Sequence, residues 1–148
     1  MKRVHNTKRN QRGAALVEMA LVLPILTVLF TGIVQFGLVL REHQILQNAA
    51  REGARLSMMP QYNLSMWDGS GTSPDTTIKN LVVQYLAQEN ITISTSDVTI
   101  NQNYSISVGG LSVKASQVTI TYTRSPIIGG SIFGSFTYKG QAVFRNLY

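Results

Sequence analysis

The apolar residues in the first third of the chain form one long run. Residues 14–40 contain a single charged side chain, Glu18. At about 1.5 Å per helical residue the run extends about 40 Å, whereas a hydrocarbon core about 30 Å thick needs only about 20 residues. The pattern therefore predicts a membrane-spanning helix over residues 14–40.

An amphipathic pattern follows this run and predicts that the same helix continues outside the membrane to Ser57. Polar residues, Glu42 among them, occupy one side, and Pro60 lies just beyond the expected end. Small and apolar residues recur on the other side with helical spacing. These residues are Ile45, Leu46, Ala49, Ala50, Gly53 and Ala54.

The small residues on this side form a ridge suited to close packing. The ridge consists of Ala49, Ala50, Gly53 and Ala54. Glycine inside a helix costs about 1 kcal/mol relative to alanine, which suggests that another element approaches Gly53 closely. Two alternatives remain open: the ridge contacts the protein's own outer domain, or it contacts a partner helix.

Pro24 interrupts the hydrogen-bond pattern of the membrane segment. Because proline has no N–H to donate, we expect a kink or a local loosening at this position. Thr27 and Thr31 follow one and two turns later, where their hydroxyls can donate to backbone carbonyls. Pro24 is therefore a further candidate for helix packing.

A loop over residues 58–73 precedes a second helix. Ser73 suits the N-cap, Pro74 the first helical position and Asp75 the first turn. Apolar residues then recur with helical spacing as far as about Asn90. They are Ile78, Leu81, Val82, Tyr85 and Leu86.

After Asn90 the apolar pattern changes to a period of two, which predicts strands. Val98–Ile100 gives a short strand, and residues 118–123 alternate apolar residues with threonines. A third strand covers Phe136 to Arg145, where apolar and polar residues alternate again. The pattern indicates a sheet with one buried face.

Two glycine pairs, at residues 109–110 and 129–130, predict turns. The second pair lies in an apolar loop over residues 126–133, which we expect to be part of the core rather than an exposed contact patch.

These elements together predict an α+β fold. It has a long N-terminal membrane-spanning helix, a second helix, and a small antiparallel sheet of three or four strands. The predicted domains are a basic leader (1–13), the N-terminal helix (14–57), a loop (58–73) and a small extracytoplasmic α+β domain (74–148).

Charge and composition argue against several classes of function. Residues 1–13 carry five cations and no acid, and they account for most of the net charge of +6. The remaining charges nearly balance, so we expect no nucleic-acid binding. The chain has no cysteine, which excludes disulfides and cysteine-ligated metals.

The remaining polar residues do not suggest a catalytic or cofactor site. The two histidines are His5, in the leader, and His43, near the membrane surface, and the outer carboxylates are scattered. The Asp68–Thr72 stretch lacks the acidic density of a calcium loop and is interpreted as a turn. We therefore expect no enzymatic activity, no metal site and no cofactor.

The leader cations predict a cytoplasmic N-terminus and an external C-terminal domain. A cleaved secretory signal peptide is the alternative. Its cleavage site would follow the apolar run, but the small residues of this chain precede that run.

Three segments occur together in the first third of the chain. They are Arg12-Gly13-Ala14-Ala15-Leu16-Val17-Glu18-Met19-Ala20-Leu21-Val22-Leu23-Pro24, then Gln35-Phe36-Gly37, then Gln47-Asn48-Ala49-Ala50-Arg51-Glu52-Gly53-Ala54-Arg55. In combination they resemble the TadE-like pseudopilins of the tight adherence, or Flp-type, pilus system. The sequence departs from that pattern at Met19, where an aromatic residue is usual.

The resemblance implies that a prepilin peptidase cuts between Gly13 and Ala14. It also implies that Glu18 pairs with the α-amino group of a neighbouring subunit during assembly. A carboxylate costs roughly 2.5–3.5 kcal/mol at the centre of a membrane helix and less near an end, so Glu18 is a functional candidate on physical grounds as well.

The implied partners are the peptidase, other pilin or pseudopilin subunits, inner-membrane platform proteins and the membrane itself. The implied location is the bacterial inner membrane, with a periplasmic C-terminal domain and a place in the pilus or at its base. The folded outer domain favours a minor subunit over the short major pilin. The alternative is an uncleaved bitopic protein that acts as a periplasmic scaffold of the secretion machinery.

Overall fold

The computed structural model describes residues 7–126 and 134–146. Within these ranges the elements are helix α1 (Thr7–Ser57), helix α2 (Pro74–Gln88) and the strands β1 (Val98–Val108), β2 (Leu111–Arg124) and β3 (Phe136–Arg145). The strands form one antiparallel sheet in the order β1-β2-β3. The α+β fold predicted from the sequence is confirmed.

The chain divides into two compact units, Met1–Leu38 and Val39–Tyr148. In the first unit every side chain from Gly13 to Phe30 is exposed. Helix α1 begins at Thr7 and not at Ala14, so part of the leader is helical. The residues ahead of Gly13 are mostly good helix formers, and one glycine does not end a helix.

Helix α2 begins as the sequence predicts, with Ser73 as N-cap and Pro74 at its first position. The Ser73 side chain makes no capping hydrogen bond, and its carbonyl instead accepts from the Thr77 backbone N–H at 3.0 Å. The sequence pattern assigned too many residues to the buried face of α2. Leu81 and Tyr85 are 40% and 38% exposed, because only a narrow stripe of the helix is covered.

The segment between the helices is not a plain loop. It contains two short 3-10 helices, Pro60–Tyr62 and Leu64–Met66.

Strand β1 is much longer than the predicted Val98–Ile100. The three polar residues 101–103 interrupt the apolar positions of this strand, and its register shifts at the same place, between Asn101 and Tyr104. Gly109 and Gly110, with φ of 59° and 84°, form the predicted turn to β2. The predicted turn at 129–130 lies outside the described residues, as does most of the apolar loop 126–133.

The core of the second unit forms where α1 and α2 cover one face of the sheet. Ala49, Ala50 and Ala54 are completely buried. A Cβ added to Gly53 would lie 2.8 Å from Val82 Cγ2 on α2. Of the two alternatives for the small-residue ridge, the structure shows contact with the protein's own outer domain.

Helix α1 and the sheet approach each other closely at Gly140 of β3. A Cβ at Gly140 would lie 2.6 Å from the carbonyl oxygen of Leu46. Real Cβ atoms essentially never come so close to another heavy atom. The α1 backbone therefore contacts the backbone of β3 directly.

A buried polar cluster joins the end of α1 to the sheet. Gln102 Nε2 donates to Ser57 Oγ at 3.2 Å and to the Tyr62 carbonyl at 2.7 Å. Ser116 Oγ lies 3.2 Å from the Ser57 carbonyl and 2.7 Å from Asn146 Oδ1, so its single proton serves one acceptor at a time. The cluster satisfies polar groups that would otherwise be costly to bury.

We predict that Gly140→Ala destabilises the second unit more than Gly53→Ala does. At Gly140 the new methyl meets backbone atoms, which cannot move aside, and overpacking of this kind costs about 1–3 kcal/mol. At Gly53 it meets side chains, and the gain in helix propensity of about 1 kcal/mol offsets part of the strain. Denaturant unfolding of the full chain in detergent, followed by Trp67 fluorescence, measures both.

The matched control is Gly32→Ala, because nothing lies within 4 Å of a Cβ at that position. Its transition is expected to coincide with that of the unchanged protein. Equal stability of the Gly140→Ala variant and the unchanged protein would contradict the close approach at Leu46.

Candidate processing and assembly site

The residues around the predicted cleavage position lie in α1 and are open to solvent. Gly13, Ala14 and Glu18 are all exposed. Ala14 and Glu18 are four residues apart, which places them on the same side of the helix, one turn from each other. Nothing lies within 4 Å of a Cβ built at Gly13, so no packing shields the Gly13–Ala14 peptide.

Glu18 has no partner among the described residues. Among the residues that the structure describes, no side chain forms a hydrogen bond or an ion pair with it. It lies in a helix whose most apolar window has a mean hydropathy of 2.3 and is 0% buried by protein. A carboxylate in such a segment needs a partner from outside the chain, or a position at the headgroups, to remain charged at low cost.

Helix α1 continues through Pro24. Thr27 Oγ1 donates to the Leu23 carbonyl at 2.8 Å, and Thr31 Oγ1 donates to the Thr27 carbonyl at 2.8 Å. The prediction that these hydroxyls return to backbone carbonyls is confirmed. They give the apolar helix two extra hydrogen bonds close to the donor that proline removes.

The candidate residues for cleavage, charge pairing and helix packing lie on two different parts of α1. Gly13, Ala14, Glu18 and Pro24 lie on the exposed part of α1. The ridge at Ala49–Ala54 lies in the core of the second unit and has no surface left for a partner helix. The candidate site is therefore confined to residues 13–24.

Sequence reasoning missed an ion pair between Glu42 of α1 and Arg124 of β2. Their side chains are only 12% and 23% exposed, so the assignment of Glu42 to the solvated side of the helix was wrong. Glu42 lies four residues before Leu46, on the buried side, and this spacing was the available signal. Its partner is 82 positions away, which no local pattern indicates.

Tyr138 of β3 lies close to this ion pair. Burial raises the pKa of its phenol above the ordinary 10.0. The negative charge of Glu42 raises that pKa further, whereas the positive charge of Arg124 opposes the change. The three side chains form one electrostatic group at this end of the sheet.

The Asp68–Thr72 stretch is a turn. Asp68 Oδ1 accepts from the Ser70 hydroxyl at 2.6 Å and from its backbone N–H at 2.9 Å, and these bonds lower the pKa of Asp68. Gly69 and Gly71 both have positive φ. Trp67 Nε1 donates to the Ser70 carbonyl at 2.9 Å.

Comparison with known families identifies the segment that carries this site. Residues 13–55 match the family model of TadE-like proteins. Over these residues the chain is similar to TadE-like proteins. The TadE-like segment, residues 13–55, begins at the glycine of the candidate cleavage position and ends just after the small-residue ridge.

The TadE-like match associates the protein with the tight adherence pilus system. The segment covers less than a third of the chain. No curated protein and no solved structure matches the chain significantly. The role of the outer unit is therefore argued from its own residues.

We predict that Tyr138→Phe reduces the loss of stability at alkaline pH. Because the folded state holds the Tyr138 proton more tightly than the unfolded state, this group contributes stability below about pH 10. That contribution disappears as the pH rises through the folded pKa. Without the phenol, the free energy of unfolding of the second unit falls less steeply above pH 10.

The free energies of unfolding of the Tyr138→Phe variant and the unchanged protein, measured from below to above pH 10, check the prediction. Tyr104→Phe is the control. Tyr104 is an exposed tyrosine of β1, so its removal is expected to leave the alkaline slope unchanged. Identical slopes for Tyr138→Phe and the unchanged protein would show that the Tyr138 pKa is not raised by folding.

Proposed function

We propose that this protein is a minor pilin or pseudopilin of a tight adherence pilus system. In this proposal a prepilin peptidase removes residues 1–13, and the mature subunit helps to initiate or assemble the fibre. The observation that carries the proposal is Glu18. It is an exposed carboxylate without a described partner, in a TadE-like segment, one helical turn from the proposed new N-terminus.

The membrane arrangement supports this role. Helix α1 is long and apolar enough to cross a membrane once. The five leader cations favour a cytoplasmic N-terminus, which would place the cleavage position at the inner leaflet and the second unit in the periplasm. The bacterial inner membrane is the location in which such a subunit would await assembly.

Processing requires a local change in α1. The Gly13–Ala14 peptide lies within the helix, whereas a protease needs an extended backbone at the bond that it cuts. Glycine at position 13 makes the opening of the helix easier by about 1 kcal/mol relative to alanine. This is a physical reason for glycine at this position, in addition to any preference of the peptidase.

Cleavage would place an ammonium group close to the level of Glu18. Helical side chains point toward the N-terminus, so Glu18 leans toward the turn that contains Ala14. In an apolar setting the ion pair is favourable relative to leaving either charge alone. We propose that the amine that pairs with Glu18 comes from a neighbouring subunit, and that this ion pair sets the axial register of the subunits in the fibre. The alternative partner is the α-amino group of the same chain, which would lie one helical turn from Glu18.

The protein itself would not be an enzyme. Extraction of the helix from the bilayer requires energy, which we assign to an ATPase and platform proteins of the same system. The interactions of this chain would then be with the peptidase, with those proteins and with other subunits.

An uncleaved scaffold is the second candidate. The continuity of α1 from Thr7 through Gly13 favours it, because the candidate bond is helical in the free chain. Such a protein would keep its leader and use the second unit as a periplasmic platform.

We predict that co-expression with the cognate prepilin peptidase yields a chain that begins at Ala14, as measured by intact mass. Glu18→Gln is expected to be cleaved and then to fail in fibre assembly, because an amide cannot neutralise the ammonium group. Gly13→Ala is expected to be cleaved more slowly, by at most about fivefold. This limit corresponds to the helix propensity difference of about 1 kcal/mol between glycine and alanine.

The matched control is Glu52→Gln, which removes an exposed carboxylate paired with Arg55 on the same helix. It is expected to be cleaved and assembled normally. A leader retained in the presence of active peptidase supports the scaffold. Normal fibre assembly by the Glu18→Gln variant would contradict the proposed role of Glu18.

A further inference from the structure

We infer that the end of the sheet formed by Arg124 and Phe136 contacts the bilayer that α1 spans, with Phe136 in the interfacial layer. The inference rests on the membrane span and not on the proposed pilus function. It concerns an interaction surface of the second unit, and its partner is a lipid surface.

The first step is the position of this end relative to α1. Arg124, the last residue of β2, forms the ion pair with Glu42. Phe136, the first residue of β3, is the register partner of Arg124. A second ion pair, between Arg41 and Glu89 at 3.2 Å, brings the C-terminal end of α2 to the same place. The end of β2 and the end of α2 therefore meet α1 at Arg41 and Glu42, and Phe136 of β3 lies beside the end of β2.

The second step is the position of the lipid boundary along the chain. The apolar run 14–40 is about 40 Å long as a helix, close to the full bilayer thickness of about 40–45 Å including headgroups. Arg41 and Glu42 are the first charged residues after Glu18. They are therefore expected at the boundary between headgroups and water. This is a distance along the chain, and it does not depend on any angle.

The third step is the character of Phe136. By strand alternation Phe136 shares the sheet face of Tyr138 and Ala142, which packs on α1, yet it is 43% exposed. The helix side chains that cover Ala142 do not cover this end of the face. An uncovered phenylalanine next to the lipid boundary resembles the Trp, Phe and Leu side chains that interfacial helices bury at the boundary between headgroups and acyl chains.

The bilayer is the occupant that the chain itself specifies. Few residues separate Glu42 from the end of the apolar run, so this end of the sheet is held near the lipid whether or not another protein is present. No comparable tether places a protein partner on Phe136.

The absence of cysteine makes a direct test simple. Phe136→Cys and Leu111→Cys are each labelled with a nitroxide, and the full chain is reconstituted in phosphatidylethanolamine–phosphatidylglycerol vesicles. Leu111 is 73% exposed and lies at the other end of the 14-residue strand β2. At about 3.3 Å per residue it is about 43 Å from Arg124, which makes it a distant control.

We predict that the label at position 136 collides several-fold more readily with lipid-soluble oxygen than with a water-soluble nickel chelate. The label at position 111 is expected to show the opposite preference. Chelate access at position 136 equal to that at 111 would show that this end lies in water. Shielding from both reagents would show a protein contact. Either result would overturn the inference.

A second measurement guards against disturbance by the label. Phe136→Trp in a Trp67→Phe background is expected to be quenched by lipids brominated near the headgroup, and Leu111→Trp in the same background is not. Both experiments apply to the uncleaved and the cleaved chain. Their outcome is therefore separate from that of the processing test.

Discussion

The second unit depends on the direct contact of the α1 backbone with its neighbours. A Cβ at Gly140 would lie 2.6 Å from the Leu46 carbonyl oxygen, and a Cβ at Gly53 would lie 2.8 Å from Val82. With these two glycines, α1 lies against both the sheet and α2, and the buried alanines beside it fill the remaining space. A chain without cysteine, and therefore without disulfides, must obtain its stability from packing of this kind.

This use of α1 limits where assembly can occur on the helix. The small-residue ridge is buried against the protein's own outer domain, so it is not available to a partner helix. The exposed part, residues 13–30, is not covered by any of the residues that the structure describes, and it contains one carboxylate, Glu18. The membrane, and then neighbouring subunits, are the environments that we propose for this surface. The proposed function follows from this division of α1 into a face buried within the protein and a segment that is exposed.

Local patterns predicted the helices, two strands and the close approach at Gly53, because each depends on residues near in sequence. The distal half of β1 was missed because the polar residues 101–103 interrupt its apolar positions, although the alternation resumes from Tyr104 to Val108. The Glu42–Arg124 ion pair was missed because its partners are far apart in the chain. The candidate site at Gly13–Glu18 could be predicted because its motif is local. Whether that motif acts across subunits depends on molecules that one sequence does not contain.

The central claim is that the amine of one subunit meets Glu18 of the next. Assembled material from equal amounts of 15N-alanine-labelled and 13C-glutamate-labelled subunits tests it directly by solid-state NMR. The α-ammonium nitrogen of Ala14 is distinct from every amide, and an ion pair places it within about 4 Å of the Glu18 carboxyl carbon. The account predicts a through-space signal between the two subunit pools. A signal that appears only when both labels are in one chain would contradict it.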